Sequence, residues 1–190
     1  MTILLDIPNF SYPTTVLSVN GWIVIQQRID GSQSFNKNWQ QYKDGFGLYN
    51  ANFWLGLEKI YQLTSSAGYR LRFEILVKNG AWISDEYDSF KIDSEDSKYA
   101  INVSGYIGDN LDILNWKPGA RKHFQNGMKF STPDQDNTPQ LKNCANQYSS
   151  GNWFNNCYMQ DVNGIYGYHD LYYTAKYSSL TYCRMMIKLI

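Results

Sequence analysis

Apolar and polar residues alternate most cleanly in YRLRFEILV, where Tyr69, Leu71, Phe73, Ile75 and Val77 are interleaved with Arg70, Arg72 and Glu74. Period two predicts a strand with one buried face and one wet face. GWIVIQQR (Gly21 to Arg28) begins apolar on both faces, which predicts a central strand. YDSFKI (Tyr87 to Ile92), KYAINV (Lys98 to Val103) and RMMIKLI (Arg184 to Ile190) predict further strands, and the DSED turn at Asp93 to Asp96 joins the first two as a hairpin. Two segments carry helical spacing instead. FNKNWQQYKDGFG sets Phe35, Trp39 and Tyr42 on one side, with Gly45 as a stop; WLGLEKIYQLTSSAG sets Leu57, Ile60, Tyr61 and Leu63 together before Gly68. Local hairpins with few helices predict an α+β fold with a largely antiparallel sheet.

Beyond Gly105 the periodicity stops, and Gly, Asn, Asp and Tyr dominate to about Ser179. The sequence therefore divides into an N-terminal part (1–20), a central sheet (21–105), and a loop-rich binding lobe with a final strand (106–190), all within one domain. The run DQDNTPQLKNCANQYSSGNWFNNC, Asp134 to Cys157, has almost no aliphatic residues. If ordered, it needs a disulfide, a metal ion or both, because hydrophobic burial cannot hold it. A Cys144–Cys157 bridge would close a short loop and contribute about 3 kcal/mol. Asp134 and Asp136, two apart, could share a hard cation with nearby carbonyls, although D-x-D alone reads better as a solvated turn. Cys183 is left over, as a buried thiol in the last strand or an intermolecular link.

Seventeen basic and seventeen acidic residues cancel, which argues against nucleic acid or an anionic membrane as partner. No apolar run approaches the roughly 20 residues that span a bilayer. The start, MTILLDIPNF, lacks a basic leader and a long apolar stretch, which reads as a cytosolic protein or as an excised domain behind an added Met1. Aromatics make up 16% of the residues, sixteen of them Tyr, and such rings fill the edges of a β-core or form a surface suited to sugars. The histidines are His123 and His169, and no nucleophile elbow, paired-His zinc motif or phosphate loop accompanies them. No enzyme is indicated.

GWIVIQQRIDGSQSFNKNWQQYKDGFG, FWLGLEKIYQLT, YDSFKI, NGMKFSTPDQDN, NCANQYSSGNWFNNC and VNGIY follow one another in an order and spacing that resembles the fibrinogen-related domain family, from about Gly21 to the C-terminus. That family includes fibrinogen chains, ficolins, tachylectin-like lectins, angiopoietins and tenascins. The resemblance implies an extracellular recognition module: a twisted sheet plus a lobe with a calcium site beside a ligand pocket. It places the first calcium carboxylate on Asp136, backbone carbonyls on Gln140 and Lys142, and the second acidic position on Thr138. Losing that carboxylate predicts weak Ca²⁺ binding or none unless Asp134 or water substitutes. The resemblance also implies the Cys144–Cys157 disulfide and a cis bond at Asn156–Cys157, which turns the N–H groups of Cys157 and Tyr158 toward a ligand carbonyl.

Tyr148 falls where acetyl-binding members carry an aromatic and peptide-binding fibrinogen chains an acidic residue. Trp153 keeps one of a tryptophan pair, with Asn152 in place of the other, for packing or for ligand contact. YGYHDLYY (Tyr166 to Tyr173) is shorter than the family's connection, and Tyr172 or Tyr173 is expected to supply the missing pocket aromatic. An N-terminal cysteine pair is absent, and oligomerisation would come from elsewhere or from Cys183. The sequons at Asn9 and Asn102 agree faintly with secretion. Together these imply a secreted lectin-like module of innate immune type for acetylated glycans or related acetyl groups, with Tyr148, Asn156, Cys157, Tyr158, Trp153 and Tyr173 at the ligand. The alternative is a protein–protein interaction module of angiopoietin, tenascin or fibrin kind.

Overall fold

The structure is a computed structural model that describes residues 2–5, 14–117, 123–167, 172–173 and 180–190. Its strands are β1 (Thr2–Leu5), β2 (Thr14–Val19), β3 (Trp22–Arg28), β4 (Phe46–Gly47), β5 (Phe53–Trp54), β6 (Tyr69–Val77), β7 (Trp82–Ile92), β8 (Ile101–Gly108), β9 (Gln160–Asp161), β10 (Tyr172–Tyr173) and β11 (Leu180–Leu189). The helices are α1 (Trp39–Asp44), α2 (Leu57–Ser66) and α3 (Cys144–Tyr148). One antiparallel sheet runs β1-β2-β3-β11-β6-β7-β8, with the short β4 and β5 beside β3. The fold is α+β, as the hairpin pattern predicts.

β6 alternates buried and half-buried positions along its whole length, so its five apolar side chains each contribute roughly 1.5–3 kcal/mol by leaving water. Its wet face carries ion pairs, Arg70 with Glu86 at 3.0 Å and Arg72 with Glu74 at 3.1 Å, which organise the surface more than they stabilise it. β11 lies between β3 and β6, so the C-terminal residues complete the centre of the sheet. Cys183 in β11 is fully buried, and desolvation pushes its thiol pKa up to about 12. That burial excludes the intermolecular link.

α1 begins later than the Phe35 spacing suggests, because Asn38 and Gln41 form a reciprocal capping box that fixes its start. Gly45 ends it at φ +95°, where an added Cβ would sit 2.4 Å from the Leu55 carbonyl oxygen. β8 starts at Ile101 rather than Lys98: a 3-10 turn occupies Glu95–Ser97, and Lys98 and Tyr99 take left-handed backbone angles that break strand pairing. The helices meet the lobe in an aromatic cluster. Phe130 lies 5.0 Å from Trp153, 5.1 Å from Tyr42 and 5.9 Å from Trp54 between ring centroids, distances at which ring pairs add to plain burial.

The lobe is held by more than a crosslink or an ion. Asn152, Gln160, Asp161, Asn163 and Gln125 are all buried, and hydrogen bonds link the amides among them to the lobe backbone. The Asn152 amide donates to Gln160 O at 2.7 Å, Asn163 to Gly151 O at 2.8 Å, and Gln125 Oε1 accepts from Gln160 N at 3.0 Å. Gln26 of β3 donates to Val162 O at 2.7 Å and ties this network to the sheet. Buried amides matched in this way replace the secondary structure that the segment lacks.

Candidate functional site

The crosslink between Cys144 and Cys157 is formed, with 5.5 Å between the Cα atoms. It staples α3 to the turn after Phe154. Asn143 caps α3 by accepting from Asn146 N at 2.8 Å, and Ser149 ends it in the left-handed region at φ 52°. The two sulfurs, Ala145 and Phe154 make a small buried core separate from the main one, and Tyr148 and Tyr158 pack over it partly exposed. Their rings meet edge to face at 4.8 Å, and Asn156 is exposed on the same turn. Tyr148, Asn156, Cys157 and Tyr158 are thus brought together.

Three expectations are corrected. The Asn156–Cys157 bond is trans, since no cis peptide occurs among the described residues. A cis bond before a non-proline residue costs about 3–4 kcal/mol, and the turn closes without it through Asn155 N donating to Cys157 O at 2.8 Å. Trp153 is 1% exposed with its indole N–H donating to Tyr99 O at 2.8 Å, so it packs rather than contacts a ligand. Tyr173 is also interior: its ring lies 5.5 Å from Phe73, and its hydroxyl donates to buried Asp85 at 2.6 Å. Burial, and then the Asp85 charge, raise the Tyr173 pKa well above that of a free phenol.

The donor set for calcium is poor. Asp136 Oδ1 accepts from the Thr138 amide at 3.0 Å and from the Thr138 hydroxyl, which also lies 3.3 Å from Lys142 O. A hydroxyl therefore stands between the two oxygens that would face a cation. Asp134 is committed elsewhere, accepting from Trp39 N at 2.9 Å and from the Thr132 hydroxyl at 2.7 Å. It satisfies an otherwise unpaired amide at the start of α1 and docks the lobe there. Gln140 and Lys142 are exposed, and no group of three or more His, Cys, Asp or Glu among the described residues could hold a metal. One carboxylate and two exposed carbonyls fall short of the six to eight oxygens Ca²⁺ takes, so the residues do not fit the ion.

His123 is half-buried with no partner at Nδ1 among the described residues, and the Asn102 amide donates to Asp93 at 3.2 Å and Ala100 O at 3.3 Å. His169, Asn9 and residues 168–171 of the short connection lie outside the described residues, as does the side chain of Tyr172. Leu141, wholly exposed in the loop before the crosslink, had no signal in the sequence beyond its isolation among polar neighbours. No described helix is long and apolar enough to cross a membrane.

A family model described as the C-terminal globular domain of fibrinogen beta and gamma chains matches residues 12–184. Human fibroleukin is 42% identical over 154 residues, covering 80% of this chain and 34% of its own. The chain thus spans about a third of the length of the curated relatives it matches. Among solved structures, the fibrinogen-like globe domain of human ANGPTL2 superposes with a TM-score of 0.88 at 32% identity, covering 100% of this chain and 92% of that one. Lamprey fibrin D-dimer, complexed with the peptide ligand Gly-His-Arg-Pro-amide, superposes with a TM-score of 0.84 at 31% identity, covering 93% of this chain and 65% of that one.

Proposed function

The protein belongs to the family of C-terminal globular domains found in fibrinogen beta and gamma chains, and we propose that it is an extracellular recognition domain whose ligand is another polypeptide. The observation that carries this is the Tyr148–Tyr158 pair, locked edge to face on a buried disulfide and half open to solvent. Rigid tyrosines give large amphipathic contact area with little side-chain entropy to lose, which is why they anchor protein contacts. Each ring takes up part of the other's surface, so the pair makes a ridge and not a cup for an acetyl methyl. Asn156 and the bare Leu141 add a hydrogen-bonding group and an aliphatic contact on the same lobe. The peptide complex of lamprey fibrin supports polypeptide capture on this fold, and the disulfide suits an oxidising compartment.

A second reading, an acetylated sugar, rests on the half-exposed Tyr148 ring, an aromatic surface of the kind a sugar lies against. Passing the protein over N-acetylglucosamine and acetylated-albumin resins, in parallel with selection from a displayed random-peptide library, separates the two. The proposal expects enriched peptides and no retention by the acetyl resins. Retention that free N-acetylglucosamine releases, with no peptide enriched, would overturn it in favour of the sugar.

A further inference from the structure

β8 closes one end of the sheet, and its side chains alternate at the start of the strand: Ile101 and Val103 are buried, Asn102 is half-buried and Ser104 is exposed. Asn102 and Ser104 therefore share the wet face. With Val103 between them they spell Asn-Val-Ser, the acceptor signal for N-linked oligosaccharide. Such a triplet arises by chance in an asparagine-rich chain, so its placement decides whether the folded domain can carry a sugar. Across the β7–β8 pair the residue facing Asn102 is Lys91. The Lys91 side chain is 59% exposed, and that of its ion-pair partner Asp93 is 38% exposed. The space over Asn102 is thus bordered by solvated, movable side chains and not by packed ones.

We propose that Asn102 is a modification site that carries an N-linked oligosaccharide on the wet face of β8. In the transfer, Asn102 Nδ2 bonds to C1 of the first sugar of a lipid-diphosphate-linked oligosaccharide. The C1–O bond to the diphosphate breaks, its electron pair leaves with the diphosphate, and one amide proton is lost. The amide starts with two N–H donors and keeps one. Its present bonds, 3.2 Å to Asp93 and 3.3 Å to Ala100 O, lie at or beyond the long end of the usual range, so giving up one hydrogen forfeits little. Attachment leaves the apolar positions Ile101 and Val103 and their pairing with Ile92 and Phe90 in place. The inference rests on the extracellular part of the proposed function, for which the Cys144–Cys157 bridge speaks, and not on the tyrosine ridge.

The full chain behind a cleavable signal peptide, expressed in animal cells, provides the test. Its tryptic peptide 99–121 contains Asn102 and no other sequon, and mass spectrometry reads it from both medium and lysate. Peptide N-glycosidase in heavy-oxygen water should remove an oligosaccharide and leave heavy-oxygen aspartate at position 102 in most molecules. Asn102→Gln and Ser104→Ala should each abolish the modification, Ser104→Thr, which keeps a hydroxyl, should retain it, and Asn9→Gln should leave it unchanged. Ser104 is exposed, so Ser104→Ala should unfold at the wild-type midpoint and keeps the test free of folding defects. The glycosidase should also release the sugar from the folded protein without denaturant, as attachment on a wet face requires. An unmodified 99–121 peptide in medium and lysate, from protein whose Cys144–Cys157 bridge has formed, would overturn the proposal, and so would a sugar that is released only after unfolding. Either result leaves polypeptide capture by the ridge standing, since peptide selection tests that separately.

Discussion

Replacing both Cys144 and Cys157 by alanine tests how much of the lobe depends on its crosslink. The two residues are 13 apart in sequence, and closing a loop of that size contributes about 3 kcal/mol in the chain-entropy description. The loss should not spread evenly. α3 has five residues, far below the length at which an isolated helix persists in water, whereas the amides around Asn152 and Gln160 remain hydrogen-bonded to the sheet through Gln26. Urea unfolding of the double variant is expected to show stability reduced by about 3 kcal/mol, which at an m-value near 2 kcal/mol/M moves the midpoint by about 1.5 M. Amide exchange should quicken most at residues 144–148. A loss under about 1 kcal/mol with unchanged exchange would mean that the buried amides hold the ridge without the sulfurs.

Gly151→Ala should cost about 3 kcal/mol or more, because its Cβ would lie 2.5 Å from the Tyr42 ring in a fully packed site. Gly80→Ala, at φ +85° with nothing within 4 Å, should cost only about 1–2 kcal/mol of backbone strain; thermal unfolding of the pair checks the contrast. EDTA should leave the Tm of the wild type unchanged, while Thr138→Asp, which returns a carboxylate beside Asp136, should make the Tm rise with added Ca²⁺. Cys183 should resist alkylation at pH 8, since burial holds the thiol protonated to about pH 12, and should react fully once urea unfolds the protein; rapid native-state labelling would show that β11 opens.

The sheet was legible where the two faces of a strand differ in chemistry. β6 reads off its alternation, and the buried Leu57, Ile60 and Leu63 of α2 read off their spacing. β7 extends back to Trp82 because Asp85, a residue that argues against a buried strand, is matched by the Tyr106 hydroxyl at 2.7 Å, the Tyr173 hydroxyl at 2.6 Å and the Asn110 amide at 2.9 Å. Those partners lie 21 to 88 residues away, beyond any local pattern. The lobe was illegible for the same reason: Asn152, Gln160 and Asn163 look like solvated loop residues until their partners are known. Of the site, the sulfurs and the aromatic at Tyr148 came from motif order. The commitment of Asp134 to α1 and the interior place of Tyr173 each depend on contacts between segments far apart in the sequence.

The tyrosine ridge as a polypeptide contact is tested most directly by the affinity of Tyr148→Ala for a library-selected peptide, measured by titration calorimetry beside the wild type. Removing a ring that a ligand buries should cost roughly 1–3 kcal/mol, a weakening of about 5- to 150-fold, with the Cys144–Cys157 bridge and the unfolding midpoint nearly unchanged. An affinity equal to that of the wild type, in a variant that remains folded and crosslinked, would contradict the ridge as the place where this domain meets its partner.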